Sequence, residues 1–334
     1  MVAKTHFSED TLKDILSRYT LGELLAFEPV TTGTVQTNYF LQTTQGRFVF
    51  RYYQNRSLES VLFESELIRY LKRNNYPCPA ILQDRNGEHA GIYNEKPYAI
   101  FEFATGQHLE HPNEAQKRQL VQQVAELNTI TRDYKPLHTP YRLNYNVETC
   151  WELAQEATQR INTAQAREKL QWFEHTLAGL HLPPSLPRGV CHCDFHFSNL
   201  LFTDGKFSAL IDFDDANYTF LLYDLAALIN PFHVSFDWNT WPRFQEEENV
   251  FDFNETRTIL QEYTRHRALS KDEKWHLFDV YKLSILFDAI WYFERWEGED
   301  FYERRKIAYL DRLGRENFIA GSLLPQRPAR ESSS

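Results

Sequence analysis

An α+β chain in two dissimilar parts is expected here, on three observations. Up to about Phe103 the apolar residues come in short alternating runs broken by polar turns. After Thr105-Gly106 they recur at helical spacing instead. The hydrophobic share, 42% of 334 residues with 15% aromatic, is enough to fill a substantial core. The expected divisions are a first domain over 1–103, a second over 104–322, and a polar, proline-containing tail over 323–334 that reads as disordered.

MVAKTHFSEDTLKDIL reads as a tail entering an amphipathic helix. VTTGTVQTNYFLQ and RFVFRYY flank the polar turn TTQG, the pattern of an antiparallel pair. On the second of these strands Arg47, Val49 and Arg51 alternate with Phe48, Phe50 and Tyr52, so the arginines share one face. SVLFESELIRYLKRN has helical spacing and is stopped by Pro77 and Pro79, and HAGIYNEKPYAIFEF supplies two more strands. Beyond the boundary, NEAQKRQLVQQVAELNTITRDY opens on Asn113 as a cap and repeats leucine and valine on one face. Long helical stretches are expected over 147–180, 255–267 and 271–296.

A formal charge of −10 argues against nucleic acid or an anionic membrane as partner, since both require a basic surface. The N-terminus does not read as a secretory signal, and no apolar run approaches the length of a membrane span. Four cysteines, Cys78, Cys150, Cys191 and Cys193, are too few and scattered for a disulfide framework, so a cytoplasmic setting is expected.

Between Val190 and Ala216 the chain reads VCHCDFHFSNLLFTDGKFSALIDFDDA. Carboxylates in so apolar a setting must be paired, hydrogen-bonded or bound to a cation. The pattern is a strand, a loop carrying Asp194 to Asn199, a strand to Phe202, the turn TDGK, and a return strand ending at Asp212. Such a hairpin brings Asp212 back beside Asn199, with Asp194 at the mouth of the preceding loop. Oxygen ligands of this kind suit a hard cation such as magnesium, and Asp194 is then placed to orient a hydroxyl and accept its proton. The bland alternative makes all three turn formers and a capping group. Cys191-His192-Cys193 suggests zinc, but no second ligand pair at metal-site spacing accompanies it.

His192-x-Asp194-x-x-x-x-Asn199 followed by Ile211-Asp212-Phe213-Asp214 resembles the paired signatures of the aminoglycoside phosphotransferase and choline kinase superfamily, including its homoserine-kinase-like members. Tyr223-Asp224-Leu225-Ala226, Ile100-Phe101-Glu102 with Gly106, and FESELIRYLKRNNYPCP extend the resemblance over most of the chain. The resemblance implies a bilobal protein-kinase-like fold, with a small antiparallel-sheet N-lobe and a larger, mainly helical C-lobe. It implies ATP and Mg2+ as cofactors and transfer of the γ-phosphoryl group to a hydroxyl of a small metabolite, homoserine or another amino alcohol. Carried over residue by residue, Asp194 is the catalytic base, and Asn199 and Asp212 are the magnesium ligands. Arg51 holds the place of a phosphate-contacting lysine, with Glu64 as its acidic partner and Glu66 as the alternative. Gly33 and Thr34 belong to the loop over the phosphates, and Glu102 and Phe103 lie near the adenine.

The chain departs from the family pattern at three places: Arg51 in place of lysine, a single glycine in the loop Thr31 to Thr34, and Asn128 where many members have histidine. Asn128 is therefore given no catalytic role. His192 reads as a brace for the loop, and so does Asp224. The roles of His196, Asp214 and Asp215 stay open, a second magnesium, the acceptor, or a solvated or capping position being the alternatives for the two aspartates. A serine/threonine protein kinase and a non-catalytic kinase-fold binding protein are the rival readings.

Overall fold

The structure, a computed structural model, describes residues 4–31, 35–230, 251–291, 293 and 302–323. The chain divides into two compact units, Met1–Gln116 with Tyr134–Asn144 and Phe197–Tyr218, and Lys117–Asp133 with Tyr145–His196 and Thr219–Ser334.

The first unit is built on a five-stranded antiparallel sheet in the order β1 (Leu24–Pro29), β2 (Thr37–Thr43), β3 (Gly46–Tyr52), β5 (Lys96–Glu102), β4 (Gly91–Tyr93). The β2–β3 hairpin closes where TTQG places it, pairing Thr43 with Gly46 and Asn38 with Arg51. Asn94 and Glu95 turn β4 into β5 with φ of 44° and 66°, the left-handed pair that a two-residue hairpin loop requires. Alternation sorts the two faces of the sheet. Tyr39, Leu41, Phe50, Tyr52, Tyr98 and Ile100 form one core with Phe7 and with Leu12, Ile15 and Leu16 of α1 (Glu9–Ser17). Arg51 therefore points to the opposite face, toward α2 (Leu58–Arg73), which starts at its Ser57 cap and packs against β5. β1 escaped the sequence reading: it is an edge strand ending in Pro29, with no clean burial alternation to announce it.

In the same unit β7 (Leu200–Thr203) and β8 (Lys206–Leu210) form the hairpin expected from TDGK, with Asp204 and Gly205 at φ of 51° and 74°. Single 3-10 turns flank it, Phe197–Asn199 before and Phe213–Asp215 after.

The second unit is mainly helical. α3 (Glu114–Ile130) runs into it behind a reciprocal cap: Asn113 Oδ1 accepts the Gln116 N–H at 3.0 Å and Gln116 Oε1 accepts the Asn113 N–H at 2.9 Å. The stretch expected over 147–180 is two helices, α4 (Val147–Ile161) and α5 (Ala164–Ala178). Asn162 breaks it at φ 52°, a conformation asparagine tolerates, and Thr163 caps the second helix at once. β6 (Arg188–Cys191) pairs with β9 (Asn217–Phe220), a four-residue strand too short to show a period. The remaining helices are α6 (Leu222–Leu228), α7 (Phe253–His266), α8 (Lys271–Trp291), α9 (Tyr302–Leu313) and α10 (Arg315–Leu323). α8 is buried almost all round and packs against α4, α6, α9 and α10, which explains its continuous apolar sequence. Among the described residues no helix is long and apolar enough to cross a membrane.

Candidate active site

In the first unit the site is organised around Arg51. Its register beside Asn38 and Ala99 leaves the guanidinium between Asp212 and Glu64. Nη1 donates to Asp212 Oδ1 at 2.8 Å and lies 3.7 Å from Glu64 Oε1, while Nε donates to Asn38 Oδ1 at 3.1 Å. Three partners on three elements use the planar fork in a way a lysine cannot. Burial works against the Arg51 charge, but Asp212 and Glu64 more than offset it and its pKa is raised. Burial also pushes the Glu64 carboxyl up, to about 7, against the pull of Arg51. The other oxygen of Glu64 accepts the Tyr53 hydroxyl at 2.7 Å. Of the two acidic candidates on α2, Glu64 faces Arg51, whereas Glu66 accepts from His138 Nδ1 at 2.8 Å.

Asp212 stands two residues beyond β8 at φ 65°, a strained left-handed turn that aims its side chain at Arg51. Asn199 is buried across from Asp212 at the open end of the hairpin, and its carbonyl accepts the Ile211 N–H at 2.9 Å. That bond extends the Leu200–Leu210 pairing by one step and sets Asp212 next to the residue opposite Asn199.

The aspartates after Asp212 part company. Asp214 is buried, with one oxygen taken by Arg56 Nε at 2.9 Å and the other by Gln36 Nε2 at 2.8 Å. Burial would raise its pKa, but Arg56, Arg51 and the Gln36 bond lower it overall, so it is an ionised anchor. Asp215 is half exposed and receives Arg56 Nη2 at 2.9 Å. Beneath this turn the buried Arg142 donates to the carbonyls of Phe213, Asp214 and Ala216 and to Ser60 Oγ. Gln36, Arg56 and Arg142 were not found from the sequence, where none carries a motif.

Glu102, at the end of β5, is engaged locally: Oε2 accepts the Ala80 N–H at 2.9 Å and lies 3.6 Å from Lys72. Phe103 packs edge-on to Phe40 at 5.6 Å between ring centroids, and the Arg47 guanidinium lies 3.9 Å over the Phe103 ring. Gly33 and Thr34 lie outside the described residues.

In the second unit the loop after β6 carries Asp194. Cys193 adopts φ 64°, and the resulting turn points two backbone N–H groups at one carboxylate. Asp224 on α6 accepts His192 N–H at 3.0 Å and Cys193 N–H at 2.8 Å. Fully buried His192 accepts the Asp194 N–H at its Nδ1, 3.3 Å away, so the ring and Asp224 both brace the loop. Burial raises the Asp224 pKa against these bonds, which a carboxylate needs to stay ionised. Burial lowers the His196 pKa against the pull of Asp194, which keeps that ring neutral near pH 7. Cys191 is buried with its thiol pushed well above the usual range, and Sγ donates to the Phe220 carbonyl at 3.3 Å. Asn128 also reaches Asp224, donating from Nδ2 at 3.2 Å.

Solved structures of kinases share this architecture. An amicoumacin kinase in complex with AMP-PNP and Ca2+ superposes with a TM-score of 0.61 at 15% identity, covering 94% of this chain and 93% of that one. The microcompartment-associated aminopropanol kinase gives 0.59 at 14%, covering 93% and 94%. The fold is thus the bilobal protein-kinase-like one, with a small antiparallel sheet and a larger helical part. Residues 26–269 match the phosphotransferase enzyme family. The homoserine kinase of Nitrobacter hamburgensis is 31% identical over 82% of this chain and 80% of its own length. That of Nitrobacter winogradskyi is 28% identical with the same two coverages. The chain belongs to the phosphotransferase enzyme family, and it is an ATP-dependent kinase of a small-molecule hydroxyl.

Proposed function

We propose that the acceptor is homoserine and that the enzyme transfers the γ-phosphoryl group of ATP to its side-chain hydroxyl. The observation that carries this reading is the match, over four-fifths of both chains, to homoserine kinases. In the transfer the acceptor oxygen bonds to the γ-phosphorus, the bond from that phosphorus to the bridging oxygen of ADP breaks, and the hydroxyl proton passes to Asp194. Asp194 orients the hydroxyl before accepting that proton, which is why its loop must be rigid.

Arg51, held by Glu64 and Asn38, contacts the phosphates of the nucleotide. Gly33 and Thr34 cover them, and Glu102 and Phe103 border the adenine, Glu102 through its backbone. The amide oxygen of Asn199 and the carboxylate of Asp212 are hard donors on the two strands' outer ends at the open side of one hairpin, a set that suits Mg2+. Bound there, the ion neutralises charge developing on the phosphoryl oxygens. Nucleotide binding is assigned to residues 1–103 and catalysis with acceptor binding to 104–322, in a cytoplasmic enzyme.

The test is phosphorylation with ATP, Mg2+ and homoserine, read by mass spectrometry of the product. O-phosphohomoserine is expected from the wild type, with a loss of roughly a hundred-fold or more in Asp194→Asn. A wild type that phosphorylates aminopropanol, choline or an aminoglycoside, and leaves homoserine untouched, overturns the acceptor assignment.

A further inference from the structure

We infer that Asn128, Tyr263 and Arg267 form a one-directional hydrogen-bond relay whose task is to hold the backbone of the Asp194 loop through Asp224. This rests on the proposed role of Asp194 as base, and it concerns positioning residues that touch no substrate.

The relay starts at the N-terminus of α8. Ser270 Oγ accepts the Glu273 N–H at 3.1 Å and Glu273 Oε2 accepts the Ser270 N–H at 2.9 Å, a capping box legible as Ser-x-x-Glu. The remaining oxygen of Glu273 receives Arg267 Nη2. Arg267 Nη1 donates to the Tyr263 hydroxyl at 3.1 Å, and that hydroxyl donates to Asn128 Oδ1 at 2.8 Å. Asn128 Nδ2 then donates to Asp224 Oδ2, which with Oδ1 holds the His192 and Cys193 amides.

A guanidinium has no acceptor, so Tyr263 can only receive from Arg267 and must give its own proton to Asn128. That choice in turn fixes the amide of Asn128 with nitrogen, not oxygen, toward Asp224. Without the Tyr263 proton the buried Oδ1 of Asn128 loses its donor, so the side chain that steadies Asp224 behind the strained turn at Cys193 is held less firmly. Asn128, Tyr263 and Asp224 are fully buried, and Arg267 and Glu273 are nearly so, leaving no bulk water to substitute for a lost bond. Asn128 thus needs Tyr263 and Arg267 behind it to act as a dependable donor.

The experiment measures hydrogen exchange at the His192 and Cys193 amides alongside kcat and KM for ATP, in Tyr263→Phe, Asn128→Ala, their combination, and Arg267→Lys. Tyr263→Phe should lose protection at these two amides ahead of the rest of the helical unit. Its kcat should fall roughly ten- to hundred-fold with KM for ATP unchanged. The combined variant should be no worse than Asn128→Ala, and Arg267→Lys, which keeps the charge but loses the fork that joins Glu273 to Tyr263, should lose part of the protection lost in Tyr263→Phe. Unchanged protection in Tyr263→Phe overturns the relay, as does protection lost evenly across the unit or additive losses in the combination. Should Tyr263→Phe fail to fold, Glu273→Gln, which weakens the hold on Arg267, is read at the same two amides by the same criteria. A wild type inactive on homoserine removes the acceptor assignment alone, because the exchange readout needs no turnover.

Discussion

Two loops that carry candidate acidic residues, one in each unit, are held by opposite means. The turn from Asp212 to Asp215 is clamped by three arginines, Arg51, Arg56 and Arg142, that reach it from β3, from the approach to α2 and from the segment after α3. In the loop from His192 to Asp194 one buried carboxylate collects the His192 and Cys193 amides, steadied by a neutral asparagine. Where carboxylates themselves must stay charged, guanidinium groups supply both neutralisation and geometry. Where only backbone must be placed, a single acceptor is enough, provided its own surroundings are fully hydrogen-bonded.

The contrast can be broken most severely at Arg142. Arg142→Met takes a donor from three buried carbonyls and from Ser60 Oγ; Phe213 keeps the Ala216 N–H and Asp214 keeps Arg56 Nη2, so the loss centres on Ala216 and Ser60 and should cost about 2–3 kcal/mol in urea unfolding. Next is Arg51→Lys, which keeps the charge and loses the fork; KM for ATP should rise roughly ten-fold. Asn38→Ala should add little to that variant while harming the wild type, because the Nε bond it accepts exists only with arginine.

Glu64 sharpens the comparison through pH. Its pKa in the fold, about 7, lies above the ordinary 4.5, so its ionisation opposes folding. The stabilisation from its neutral form is complete below about pH 4.5 and is lost as pH rises through about 7. Glu64→Gln, neutral throughout and still able to accept from Tyr53, should match wild type in thermal unfolding near the acid end. Above pH 7 it should melt a few degrees higher. The smallest effect belongs to Asp215→Asn: the pair with Arg56 is half exposed, so the loss should be about 0.5 kcal/mol or less and vanish in high salt.

Arg51 could be placed on a face by alternation, and the hairpin bearing Asn199 and Asp212 by its TDGK turn, because both are local regularities of the chain. Glu64 and Glu66 could not be separated in the same way. They sit two positions apart on one helix, and only its docking on β5 turned the first toward Arg51 and the second toward His138. Asp214 was harder still, since Arg56 lies 158 residues away and Arg142 carries no recognisable pattern. Asn128 looked like a mere loss of histidine, and its use depends on Asp224, 96 residues on, and Tyr263, 135 residues on.

Composition, periodicity and capping residues were thus sufficient for the α+β architecture and the sheet with its helix, and the phosphotransferase chemistry followed from the resemblance of short motifs to a known family. Each depends on interactions within a few residues or on a short stretch of chain. The partner that neutralises each buried charge was settled by folding. A desolvated carboxylate or guanidinium is stable only beside whatever groups the packing of distant elements brings to it, and no local pattern encodes that meeting.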